Sequence, residues 1–201
     1  MNFLAHFHLA QANNDLLAGA LLGDFVKGPL RGNYSAGIEK GIRLHRKIDA
    51  HTDQYVQTAA LHSLFPAQYR RYLGIILDLY FDFLLSRYWG DYSSQSLSTF
   101  ASETCETLQA YQAGFPSKCA EFYQRLSEHH LLERYGEKEL MVSILERLAI
   151  RLPQPNPLAT CWPELQANEQ RLCDEFVIVY DQLQTLSAEF HSTLNNEVIE
   201  Q

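Results

Sequence analysis

Eleven residues, IILDLYFDFLL from Ile75 to Leu85, constrain this chain more than any other stretch. Nine are apolar, and the two exceptions are the aspartates Asp78 and Asp82. Read as a helix, the segment is apolar nearly all round and must lie largely inside the protein. The aspartates are four apart and share one face, about a turn from each other. A buried carboxylate is costly unless it is neutralised, paired or bound to a metal. Their mid-helix position argues against capping, which leaves a metal or, as the plainer alternative, salt bridges to Arg43 or Arg46.

The rest of the chain reads as helix too, and no segment shows the sustained alternation of a strand. Helices are expected over about Asn2–Gln11, then through LLAGALLGDFVKG after the capping residues Asn13, Asn14 and Asp15, with Gly28-Pro29 as the stop. Further helices are expected over about Ser35–His62, Pro66–Tyr88, Ser93–Tyr111, Ser117–His130, Glu137–Arg151 and Pro163–Leu194. The stretch LPQPNPLATCWP reads as a loop. Gly19 and Gly23, four apart, would let another helix approach closely. With 201 residues, the expectation is one all-α domain, a bundle of seven or eight helices over residues 1–194 with a polar tail at 195–201.

The polar residues that could carry chemistry fall in residues 1–90. In GIRLHRKIDAHTD, His45, Asp49 and either Thr52 or Asp53 continue at helical spacing the stripe begun by Ile38 and Ile42. They present an imidazole and a carboxylate to the interior or a cleft. Asp24, in ALLGDFVKG, sits at a helix C-terminus, where the macrodipole disfavours a carboxylate and a positive neighbour or metal is wanted. Of His6 and His8 in FLAHFHLA, only one can share the face of Leu4 or Phe3, and His6 is favoured. Mixed imidazole and carboxylate ligation suits Mn²⁺, Fe²⁺ or Mg²⁺. Such an ion activates water and neutralises a transferring phosphoryl group. No GxSxG elbow, P-loop or GxGxxG fingerprint competes with this reading.

The net charge of −8 argues against a general nucleic-acid binder. Between Phe25 and Lys47, however, Lys27, Arg31, Lys40, Arg43, Arg46 and Lys47 meet the single acid Glu39, a local +5 that leaves −13 for the remainder. That contrast suggests an anionic substrate or partner approaching there; a solvated helix face is the bland alternative. No apolar run reaches the roughly 18–20 residues that span a bilayer. MNFLAHFHLA lacks the basic region and cleavage site of a secretory signal. Cys105, Cys119, Cys161 and Cys173 form no CxxC pair, so free thiols in a reducing cytoplasm are expected.

Four blocks in order, MNFLAHFHLA, GALLGDFVKG, GIRLHRKIDAHTD and the DxxxD helix ending in Trp89, resemble the acyl carrier protein phosphodiesterase family, which is similar to the HD-type metal phosphohydrolases. The resemblance is nearly collinear over the first ninety residues and looser beyond. It implies an HD-like helical fold and hydrolysis of holo acyl carrier protein to the apo form and 4′-phosphopantetheine, with Mn²⁺ as the metal. It puts His6, Asp24, His45, Asp49, Asp78 and Asp82 in or next to the metal shell. Lys27, Arg43 or Arg46 would hold a phosphate oxygen, and the +5 segment would dock the acidic carrier. The chain has no adjacent His-Asp pair, so ligands of that kind would come from another order of positions. Two other readings are a phosphohydrolase acting on nucleotides or small phosphoesters, and a non-catalytic helical module whose buried acids are salt-bridged.

Overall fold

The aspartate-bearing segment is the centre of the architecture. In the computed structural model it forms α6 (Leu73–Arg87), with Leu73, Ile76, Leu77, Phe81, Leu84 and Leu85 at 1% exposure or less. Before it come α1 (Phe3–Ala10), α2 (Asn14–Leu22), α3 (Ala36–Val56), α4 (Ala59–Ser63) and α5 (Ala67–Arg70). After it come α7 (Trp89–Tyr92), α8 (Leu97–Gln109), α9 (Ser117–Glu128), α10 (Leu131–Arg134), α11 (Lys138–Arg151), α12 (Trp162–Ala167) and α13 (Glu169–Ile199). The structure describes residues 1–153 and 155–199, with side chains as far as Ser192; the side chains of the expected tail at 195–201 lie outside the described residues. Among the described residues no strand occurs, and no helix is long and apolar enough to cross a membrane.

The all-α expectation holds, and eight of the helices have eight residues or more. Of the remaining five short pieces, α4, α5 and α12 fall within longer expected helices, while α7 and α10 fill gaps expected between helices. The expected helix over 35–62 breaks after Val56, and the one over 66–88 breaks between Arg70 and Leu73. The helix before Gly28-Pro29 ends earlier than expected, at Leu22, which leaves Asp24 in the turn that follows. The last helix continues past Leu194 to Ile199.

Two features bring the polar residues together. Asn13 starts α2, its side chain accepting hydrogen bonds from the N–H groups of Asp15 and Leu16 at 2.8 and 3.3 Å. The two glycines of α2 and its end then meet α3. A Cβ on Gly19 would overlap the Ile38 carbonyl and Gly41, and one on Gly23 would overlap the His45 ring. The helices therefore touch backbone to backbone, and the imidazole of His45 lies flat against the end of α2. Meanwhile α1, all eight of whose residues are buried, lies across α6, and α13 closes the far side through Phe176 and Tyr180.

Candidate active site

Asp82 has a different task from the one its spacing suggested. It is fully buried, and its carboxylate accepts hydrogen bonds from three backbone N–H groups at the start of α1: Asn2 at 3.1 Å, Leu4 at 2.7 Å and Ala5 at 3.4 Å. It caps a helix after all, but another helix than its own, eighty residues back in the chain. Both oxygens are occupied by these donors, so Asp82 positions α1 and does not face the cavity. Asp78, one turn earlier, is half-buried and lines the cavity, and its Oδ1 receives the Met1 ammonium at 2.6 Å. Neither acid pairs with Arg43 or Arg46: Arg43 bonds Glu39 at 3.3 Å, and Arg46 donates to the Val26 carbonyl at 2.8 Å.

His45, Asp49 and His6 do converge. Their ligating atoms lie within 4.8 Å of one another. The two imidazoles stack with centroids 3.8 Å apart and planes at 12°. Each Nε2 meets one oxygen of Asp49, His6 at 3.0 Å from Oδ1 and His45 at 3.1 Å from Oδ2. Asp24 approaches from the turn after α2, its Oδ1 3.8 Å from the His45 Nε2. His8, also buried, points elsewhere and bonds the Tyr180 hydroxyl through Nδ1 at 2.6 Å. Thr52 turns back onto its own helix, bonding the Ile48 carbonyl, while Asp53 lines the cavity.

The proton positions on the two histidines differ, and the difference decides their roles. His45 Nδ1 lies 2.8 Å from the Ala20 carbonyl, which can only accept, so Nδ1 carries the proton. In the neutral ring Nε2 is then a bare lone pair, facing Asp49 Oδ2 and Asp24 Oδ1. A lone pair facing carboxylate oxygens is relieved by a cation, and imidazole with carboxylate is a donor set that fits a divalent metal. His6 is the reverse case. Its Nε2 faces two acceptors, Asp49 Oδ1 and the Met1 carbonyl at 3.2 Å, and so donates. Its Nδ1 is buried without a partner. To ligate a metal through Nε2, His6 would have to move its proton to that partnerless atom, at a cost of about 1–3 kcal/mol. The geometry makes His6 the group that holds Asp49.

The electrostatics agree. Burial above all, helped by the neighbouring His45, holds the His6 imidazole down at about 3, so the ring stays neutral. For Asp49, burial is the largest single influence and pushes the carboxyl up. Its two imidazole neighbours, His45 and His6, outweigh it and hold the group well below the usual carboxylate range. Asp49 is thus an anion held by His6 at Oδ1 and facing His45 at Oδ2, 41% of its side chain still open to solvent.

Of these groups His6, Asp24 and Asp49 open onto a cavity of about 290 Å³, lined also by Met1, Asn2, Asp53, Ile75, Asp78, Leu79 and Leu148, while His45 is buried beside Asp49 and does not line it. None of the six basic residues of the 25–47 segment lines it, so the expectation that Lys27, Arg43 or Arg46 holds a phosphate oxygen finds no support in their positions. Lys27, Arg31, Arg43 and Lys47 are exposed, Arg46 is spent on Val26, and Lys40 is half-buried. Leu148 was not anticipated from the sequence. It arrives from α11, and nothing in its own neighbourhood marks it.

Compared with known proteins, residues 1–183 match the family model described as acyl carrier protein phosphodiesterase. The chain is similar to the acyl carrier protein phosphodiesterase of Klebsiella pneumoniae subsp. pneumoniae, 34% identical over 188 residues that cover 93% of this chain and 97% of the relative. It is likewise similar to that of Serratia proteamaculans, 32% identical with 91% and 95% covered, and that of Yersinia pestis, 33% identical with 90% and 94% covered. No solved structure matches the chain, so no structural neighbour speaks for the HD-type likeness.

Proposed function

Because the chain belongs to the acyl carrier protein phosphodiesterase family, we propose that the cavity around His45 and Asp49 is its active site and works with a divalent cation, Mn²⁺ ahead of Mg²⁺ or Fe²⁺. The reaction is hydrolysis of the phosphodiester that links 4′-phosphopantetheine to a serine of holo acyl carrier protein. The oxygen of water bonds to phosphorus, the bond from phosphorus to the serine oxygen breaks, and a proton passes to that oxygen. Apo carrier protein and free 4′-phosphopantetheine result.

The observation that carries the metal reading is the convergence of His6, His45 and Asp49, whose ligating atoms lie within 4.8 Å of one another, with Asp24 Oδ1 3.8 Å from the His45 Nε2. When bound there, a divalent cation lowers the pKa of water and neutralises charge on the phosphoryl oxygens. His45 and Asp49 would hold it, with His6, which lines the cavity, fixing Asp49 through its other oxygen. Asp24, 47% exposed at the mouth, is the carboxylate suited to take the proton of the attacking water. Asp78 keeps its place on the α6 side of the cavity, against the Met1 ammonium. The four free cysteines agree with a cytoplasmic enzyme.

Docking of the acidic carrier would fall to the exposed members of the +5 segment, since none of them reaches the cavity. Rim charges act on encounter and salt dependence more than on chemistry. With conversion of holo to apo carrier followed by intact mass spectrometry, Lys27→Glu with Lys47→Glu should raise KM at low salt by roughly three- to tenfold. The change in kcat should be small, and the effect should shrink as the Debye length falls to about 10 Å at 0.1 M. Unchanged KM at low salt would move the docking surface elsewhere, and no conversion by the unaltered protein would end the phosphodiesterase reading.

A further inference from the structure

The cavity has two chemically different sides. Carboxylates and the His6 imidazole occupy one. The other is an apolar edge of Ile75, Leu79 and Leu148. Ile75 and Leu79 flank Asp78 on α6, whereas Leu148 is brought in by α11 from the far half of the chain. Leu79 is buried, and Ile75 and Leu148 are half-buried with surface turned to the cavity. No side chain on this edge can donate or accept a hydrogen bond.

The substrate has a matching asymmetry. In 4′-phosphopantetheine the phosphate oxygen is joined to a CH₂, and the next carbon is quaternary and carries two methyl groups. A phosphoryl group seated at Asp49 leaves that branched carbon only two bonds from its oxygen, in a cavity of about 290 Å³ whose apolar lining is these three side chains, beside Asn2, Asp53 and Asp78. We infer that Ile75, Leu79 and Leu148 form the specificity wall of this enzyme and receive the dimethyl carbon of the pantetheine arm. This rests on the phosphodiesterase reading and deepens it. A nucleotide has no branched alkyl carbon at this position and would forgo the apolar contact. The wall therefore favours the pantetheine arm, and it gives the C-terminal half of the chain a direct part in recognition.

The test compares two forms of holo carrier protein, one with the natural arm and one whose dimethyl carbon is replaced by CH₂. Fitting or losing a small apolar group in such a pocket is worth about 10–200-fold in kcat/KM. The unaltered protein should prefer the natural arm by about tenfold or more. Leu148→Ala should lose most of that preference, while Leu148→Met keeps it. Ile75→Ala should act in the same direction, which guards against a folding defect peculiar to one position. Equal rates on the two arms for the unaltered protein would overturn the inference, as would a Leu148→Ala variant that slows both arms by the same factor. If the unaltered protein cleaves neither arm, the phosphodiesterase reading itself fails, and the wall with it.

Discussion

Asp49→Ala is expected to lower kcat/KM for holo carrier protein on the order of a thousandfold while the helical content and the melting temperature stay nearly unchanged. Asp49 is the one group that meets both imidazoles. Its removal takes away the anion that opposes the His45 lone pair and abolishes the reason for the convergence. Little packing goes with it, because the side chain is 41% exposed. His6→Ala should be milder, about 10–100-fold, as befits a residue that orients a ligand through its second oxygen. The ordering is informative: equal losses at His6 and Asp49 would mean that His6 ligates directly. An Asp49→Ala protein that keeps a tenth of its activity would remove Asp49 from the site. One that melts far earlier would make its charge structural.

The second large effect concerns stability. Asp82→Ala should strip three buried or partly buried N–H groups at the start of α1 of their acceptor. At about 1–3 kcal/mol for a buried donor left unsatisfied, the loss is roughly 3–6 kcal/mol, a large part of the 5–15 kcal/mol that typically holds a domain together. For a chain of this size that corresponds to a fall in Tm of roughly 10–20 °C. Activity should fall as well, indirectly, because α1 carries His6. Asp82→Asn keeps a carbonyl oxygen in place and should recover part of the Tm. Burial, the largest influence on the Asp82 carboxyl, pushes it up to about 7 against the pull of the Met1 ammonium and the three N–H groups. A carboxyl raised in the folded state contributes stability fully below the unfolded range near 4 and loses it as pH rises through about 7. Asp82→Asn should flatten that slope. An Asp82→Ala protein that melts normally but is inactive would return Asp82 to the chemistry.

These two aspartates mark how far local sequence reaches. The i, i+4 spacing of Asp78 and Asp82 correctly puts two acids in a buried helix, yet their tasks differ. Asp82's partners are the first residues of the chain, and no pattern within α6 encodes a contact across eighty residues. The stripe of His45 and Asp49 was legible because both sit on one helix at helical spacing. Asp24 was legible because a carboxylate at a helix end conflicts with the local dipole. Of the two histidines of α1 it is His6 that meets Asp49, and its role as a donor depends on the Met1 carbonyl and Asp49 meeting one nitrogen, which only the folded arrangement reveals. The glycines of α2 were read as a place of close approach, and Gly23 turns out to seat the His45 ring. Leu148 had no signal at all: an apolar residue on an amphipathic helix is indistinguishable from core until its neighbours are known.

The central claim is that a divalent cation held by His45 and Asp49, beside Asp24, makes this a phosphodiesterase. The most direct measurement is turnover of holo carrier protein by protein stripped with a chelator and then titrated with Mn²⁺, with bound metal quantified at each point. Activity should be absent in the stripped protein and return in step with metal bound. Asp49→Ala, treated identically, should bind much less metal at every concentration. Stripped protein that converts holo to apo carrier at the full rate with no bound metal would contradict the account.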